Sequence, residues 1–254
     1  DSMFEVTFDV LLLLLAAGFA AGFIDAVAGG GGLITVPVLL ISGANPVTAL
    51  ATNKIQGLFG SATAAITYAR GGHVDFRTQW KSAIIAFFAS LCGALLVSFL
   101  PVELIRYALP VLLIGIALFF AFKKGLDDVD RARRLSPALF AATMVPLCAA
   151  YDGLLGPGAG SFYMLSFVGL AGFGILKATA HTKLLNFASN AGALAAFAVV
   201  ATPWWLTGLA MGLAQVAGAR VGAGLAQKQG AKVIKPLLVL TTITLAAKLV
   251  WDLI

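Results

Sequence analysis

The chain reads as an all-α polytopic membrane protein. It is expected to consist of two inverted-topology repeats of about five membrane segments each, three full helices plus a broken pair, giving roughly 8–10 crossings. Three observations predict this. First, the 254 residues are 60% hydrophobic and only 11% charged, against about 25% charged in a soluble domain, and the mean hydropathy is +0.98. Such a chain cannot cover a water-facing surface. Second, the apolar runs are long and lack the alternation of a barrel strand, so the spans are helical. Third, a glycine-rich motif headed by an aspartate occurs twice, at Asp25 and at Asp152.

Taken in order, apolar blocks fall at 8–28, 33–44, 47–69, 80–100, 102–122, 137–155, 161–173, 178–201, 204–226 and 236–253. Most approach the ~20 residues a helix needs to cross a bilayer. The first has no basic n-region and no convincing cleavage site, so it reads as a retained helix. Blocks 33–44 and 161–173 hold about a dozen residues each, roughly 18 Å of helix. Each follows a glycine motif, so each reads as a half-helix or re-entrant piece, tolerated only inside protein or beside a cavity.

The blocks repeat. Asp25 and Gly29-Gly30-Gly31 align with Asp152 and Gly156-Pro157-Gly158, and Thr52-Asn53-Lys54 aligns with His181-Thr182-Lys183 after a two-residue slip. The expected division is an N-terminal repeat 1–122, a charged cytoplasmic linker 123–136 and a C-terminal repeat 137–254. Arg70, Arg77 and Lys81 in one loop, and Lys123, Lys124, Arg131, Arg133 and Arg134 in the linker, mark the cytoplasmic side by the positive-inside rule. The loop matching Arg70–Lys81 in the second half, Ala201 to Trp205, has no basic residue. The loop matching the uncharged turn near Pro101 carries Lys228, Lys232 and Lys235. The basic side switches between the halves, as inverted topology requires. Both termini then fall outside, with Glu5 and Asp9, while Arg106 and Lys248 sit against the rule near helix ends where they can snorkel. Cys92 and Cys148 read as buried core residues without metal-ligand spacing. Three GxxxG patterns, from Gly18, Gly208 and Gly218, read as close helix packing.

Several residues carry chemistry. Asp25 and Asp152, just before the helix breaks, read either as structural acids that hold the broken helices or as carriers of a coupling proton. Gly29–Gly32 and Gly156–Gly160, with Gly30, Gly31 and Gly158 as the candidate contacts, precede short helices whose free amides and dipoles suit an anion. The run fits no nucleotide fingerprint. Lys54 and Lys183 are the main ligand candidates. A lysine at this depth pairs with an acid, snorkels or meets an anionic substrate, and pairing with Asp25 or Asp152 is the alternative to binding. Asn53, Gln56, His181, Asn186 and Asn190 lie on the same turns and read as hydrogen-bonding partners. The sequence has no Gly-x-Ser-x-Gly, no His-rich metal cluster and no convincing Ser/Lys dyad, which argues against an intramembrane enzyme.

These motifs together resemble the TauE/SafE family of sulfite and organosulfonate exporters, a prokaryotic group of membrane transporters. The matching stretches are Gly22-Phe23-Ile24-Asp25, Ala28 to Pro37, Ala49 to Lys54, Tyr151 to Gly158 and Lys183 to Asn190. The resemblance implies a secondary transporter, an exporter of a small organosulfur anion such as sulfite, sulfoacetate or a related sulfonate, in the bacterial cytoplasmic (inner) membrane. A carboxylate or inorganic oxyanion carrier and an anion channel are the alternatives. The expected partners are the lipid bilayer, the anion and a coupling proton or other ion. Nucleic acid, cofactors and metals are not expected, and homo-oligomerisation is left open.

Overall fold

The computed structural model describes residues 4–99, 111, 114–115, 118–119, 122 and 126–251. They form helices α1 (Phe8–Ala28), α2 (Gly32–Ile41), α3 (Pro46–Arg70), α4 (Phe76–Leu95), α5 (Pro137–Leu154), α6 (Ala159–Ser166), α7 (Ile175–Val200), α8 (Trp205–Gln229) and α9 (Ala231–Trp251). A 3-10 turn, Leu96–Phe99, extends α4, and a π turn, Phe167–Ala171, extends α6. No strand occurs among the described residues. Helices α1, α5, α7 and α8 are long and apolar enough to cross a membrane. The expected block 102–122 lies almost wholly outside the described residues, as do Arg106, Lys123 and Lys124.

The helix starts follow the sequence. Asn45 and Ser136 cap α3 and α5, accepting from the amides of Thr48 and Leu139, and each is followed by proline, which needs no partner at the first helical position. The Asp75 carboxylate caps α4 through the Arg77 and Thr78 amides. The short α2 and α6 begin one or two residues before the expected blocks and span only ten and eight residues, about 15 Å and 12 Å of helix.

Packing is pairwise. Helix α1 lies on α8, α4 on α5 and α7, and α3 on α7 and α8. The GxxxG patterns serve these contacts within the chain. A Cβ on Gly22 would meet Gln215 Cα at 2.8 Å, and one on Gly222 would meet Phe23 Cα at 3.1 Å, so α1 and α8 approach along their glycine faces. Cys148 is buried as expected. Cys92 is exposed, which corrects the expectation of a core residue: its side of α4 faces outward beside Leu95, Leu96 and Phe88.

Cross-connections sort the loops into two ends. At one, Gln227 Nε2 donates to the Thr67 carbonyl at 2.7 Å, and the Asp75 amide donates to His181 Nε2 at 3.2 Å. The charged linker docks at this end too. Its Asp128 carboxylate accepts from the Leu176 and Ala231 amides, and Asp130 accepts from Gly174 N and Lys177 Nζ. The linker thus caps the starts of α7 and α9, which its composition alone did not disclose. At the other end, the Thr48 hydroxyl donates to the Thr202 carbonyl, and Thr52 Oγ1 accepts from the Trp204 amide.

Glu5 belongs to this second end. Its carboxylate accepts from Leu206 N, Thr207 N and the Thr207 hydroxyl and so caps α8. Partial burial opposes its charge, but the Thr207 and Leu206 donors outweigh it and hold the carboxyl below its ordinary 4.5. A depressed folded-state value stabilises above the unfolded pKa and is lost as pH falls through the folded one. Glu5→Gln is therefore expected to lower the melting temperature at neutral pH and to converge with the parent protein in acid below pH 4.5, measured by thermal unfolding in detergent across pH.

Candidate functional site

Both breaks in the helices arise where the sequence places glycine. Helix α1 ends at Gly29, at φ 76°, with its amide donating to the Asp25 carbonyl at 3.0 Å. Helix α6 starts from Gly158, at φ 82°. The two breaks touch: a Cβ on Gly29 would lie 2.7 Å from Gly160 Cα. Only glycine fits both the left-handed conformation and the contact. Gly29→Ala is expected to cost more than the about 1–2 kcal/mol of the left-handed backbone alone, because α6 must also move. Thermal unfolding of the purified protein checks this.

Around the contact, each acid meets a lysine of the opposite half. Lys54 Nζ on α3 lies 2.6 Å from Asp152 Oδ1 on α5 and 2.5 Å from the Asp152 carbonyl. Lys183 Nζ on α7 lies 3.1 Å from Asp25 Oδ2 on α1. Both acids sit in the last turns of their helices, where the dipole disfavours negative charge, and the lysines offset this. The pairs differ. Asp152 is more tightly held, with Asn186 Nδ2 at 3.2 Å and the Ser189 hydroxyl also donating to Oδ2. Asp25 is 22% exposed at its side chain against 3% for Asp152, and among the described residues its other oxygen accepts only the Gly31 amide, at 3.2 Å.

Between the pairs lies a cavity of about 30 Å³ lined by both acids, glycines including Gly31 and Gly158, and the amides Asn53, Asn186, Asn190 and Gln215. That volume holds a water or a small ion. A sulfonate has several times as many heavy atoms, so it enters only if the glycine-led helix starts part. Asn53 Oδ1 accepts from the Thr35 hydroxyl at 2.6 Å, tying α2 to α3. Asn186 is buried and its Oδ1 has no hydrogen-bond partner among the described residues, leaving an acceptor beside the cavity.

The structure thus brings together Asp25, Asp152, Lys54, Lys183, Asn53, Asn186, Asn190, Gly31 and Gly158. The lysines stand behind the acids rather than on the cavity wall, which is the pairing alternative. Gln56 stands one step back, accepting from Gln215 Nε2 at 3.0 Å. Two expected contacts lie elsewhere. Gly30 faces Leu33 and Thr241. His181 is at the linker end, tilted against Phe167 and edge-on to Phe173. Its Nε2 accepts from the Asp75 amide, so Nδ1 carries the proton toward the Lys177 carbonyl at 2.8 Å. Sequence reading missed Gln215. Its signal was a lone amide in the apolar stretch Met211 to Gly218.

Fold and site define a multi-pass helical membrane protein whose interior carries a charged seam between two broken helices. The chain belongs to the TauE/SafE family: the family described as "Sulfite exporter TauE/SafE" matches residues 14–249. It is 51% identical to "Probable membrane transporter protein ORF9" of Sinorhizobium sp over 98% of this chain and 96% of that protein. It is 42% identical to "Probable membrane transporter protein YfcA" of Escherichia coli K12, over 99% and 94%, and 40% identical to a "Probable membrane transporter protein" of Haemophilus influenzae, over 98% and 97%. No solved structure matches. The protein is a membrane transporter.

Proposed function

We propose that this protein is a secondary transporter, working as an exporter, for a small organosulfur anion such as sulfite, sulfoacetate or a related sulfonate. It is built from two inverted repeats, 1–122 and 137–254, in the bacterial inner membrane, with the linker end cytoplasmic and both termini outside. The observation that carries the reading is the crossed pair of ion pairs, Lys54 with Asp152 and Lys183 with Asp25, around a cavity where the two glycine breaks meet. Such broken helices at a repeat interface are where transporters hold substrate. The exchange of helix contacts supports the repeat: α1 packs on α8 while its counterpart α5 packs on α4. The arginines and lysines gathered at the linker end support the orientation.

In this reading, Asp25 neutralises Lys183 until it takes a proton. Protonation frees the ammonium for the anion, which the amides of Asn53, Asn186 and Asn190 and the backbone N–H groups at Gly31 and Gly158 then hold. A monoanion moving with a proton is electroneutral, so its direction follows the substrate and pH gradients and not the membrane potential. A sulfonate stays ionised at physiological pH and needs these fixed donors.

The test is counterflow in proteoliposomes with a panel of sulfite, sulfoacetate, taurine and isethionate against matched carboxylates. Saturable flux, with a sulfonate or sulfite competing at least tenfold better than its carboxylate match, is expected. Equal competition overturns the organosulfur assignment, and unsaturable flux overturns the carrier.

A further inference from the structure

A second cavity, of about 320 Å³, opens at the linker end and shares no lining residue with the central one. Its size falls in the range of small-molecule sites. Its walls come from the starts of α4, α5 and α7, the π turn after α6, and the linker. Phe140, Phe167 and Phe173 form the apolar floor, with ring centroids 4.9 Å and 5.2 Å apart in sequence. Above it stand Lys81, Arg133 and Lys177 against a single lining carboxylate among the described residues, Asp75.

The charges at this cavity are not balanced internally. Lys177 is shared with Asp130 at 2.5 Å. The Asp75 carboxylate is occupied in capping α4. No carboxylate among the described residues reaches Lys81 or Arg133 within ion-pair distance. The wall also carries Gln79, which is nine-tenths buried, and its Oε1 has no partner among the described residues. A buried amide oxygen without a partner is costly unless a ligand or water supplies the donor.

We propose that this cavity is a second anion site, for a small carboxylate or sulfonate with an apolar, preferably aromatic, body and a hydroxyl or amine. The acid group meets Arg133 and Lys81, the body lies on the phenylalanines, and the hydroxyl or amine donates to Gln79. The site also reaches the transport helix. Lys177 and His181 on its wall belong to the first two turns of α7, which goes on to carry Lys183, and the Asp75 amide ties the α3–α4 loop to the same helix. Occupancy therefore stiffens the end of α7 from which Lys183 is presented.

The experiment is calorimetric titration of the full chain in nanodiscs of zwitterionic lipid, with 4-hydroxybenzenesulfonate and benzenesulfonate as probes. Saturable binding is expected, weakened at least tenfold in the Lys81→Gln/Arg133→Gln variant and unchanged in Lys228→Gln, which removes an exposed basic residue at the same end that does not line the cavity. The preference for the hydroxylated probe is expected to vanish in Gln79→Leu. Binding that survives Lys81→Gln/Arg133→Gln, falls with Lys228→Gln, or is absent in the parent protein overturns the proposal. Because the readout is binding and not flux, failure of the transport reading leaves these outcomes intact.

Discussion

Asp25→Asn is expected to abolish transport driven by an imposed pH gradient while leaving substrate exchange at a measurable rate. Asparagine keeps an oxygen for the Gly31 amide, which donates to Asp25 Oδ1 at 3.2 Å, so the start of α2 stays capped. What it removes is the negative charge opposite Lys183. That lysine is fully buried, and in the variant it is permanently without a counter-ion except when the anion is bound. The carrier then holds anion at any pH and returns empty only against the cost of an unpaired buried charge, several kcal/mol per ion. Net flux slows by at least tenfold and loses its pH dependence, whereas exchange, in which the site is always refilled, persists. The measurement is the ratio of pH-driven uptake to counterflow in proteoliposomes. A variant that keeps pH-driven uptake at the parent rate would show that Asp25 carries no coupling proton.

The choice of Asp25 over Asp152 was not legible in the sequence, and the reason is physical. Both stand at matching positions before a glycine break, and composition treats them alike. Their difference comes from what α7 brings across the chain: Asn186 and Ser189 close on Asp152, and among the described residues no equivalent amide or hydroxyl reaches Asp25, because the matching positions on α3, Gly57 and Gly60, have no side chain. The elements themselves were easier. Runs of apolar residues bounded by Asn-Pro, Ser-Pro and glycine set α3, α5 and the breaks to within a few residues, since capping and helix breaking are local. Depth was also readable, because a lysine in an apolar run has few places to be. Partners were not. The sequence left Lys54 and Lys183 free to meet substrate or acid, and grouped His181 with them because it is two residues from Lys183. Two residues on a helix turn a side chain about 200°, which puts His181 on the face of α7 that meets Phe167, Phe173 and the Asp75 amide and turns it away from the cavity. The linker likewise showed only charge, and its aspartates take their role from helix starts more than forty residues away.

Lys54→Met is expected to be the most destabilising single change at the site. Lys54 and Asp152 are both buried, and the ammonium makes two short bonds, to the carboxylate and to the carbonyl of the same residue. Methionine fills much the same volume but leaves the buried Asp152 carboxyl without its counter-ion, with Asn186 and Ser189 as its remaining side-chain donors among the described residues. Breaking one side of a buried pair costs about 3–5 kcal/mol, which is a drop of roughly 10 °C in melting temperature for a chain of this size. Lys183→Met is the internal control. Its partner Asp25 is more exposed and 3.1 Å away, so the carboxylate left behind can take up water or a proton, and the loss should be less than half as large. Removing both charges in Lys54→Met/Asp152→Asn should recover most of the stability, because the cost lies in the orphaned charge and not in the missing attraction, and it should do so without restoring flux. Thermal unfolding of the three variants in one detergent checks the order. Equal losses for Lys54→Met and Lys183→Met would mean that the two ion pairs are energetically alike, and the division into a structural acid at Asp152 and a coupling acid at Asp25 would have to be abandoned.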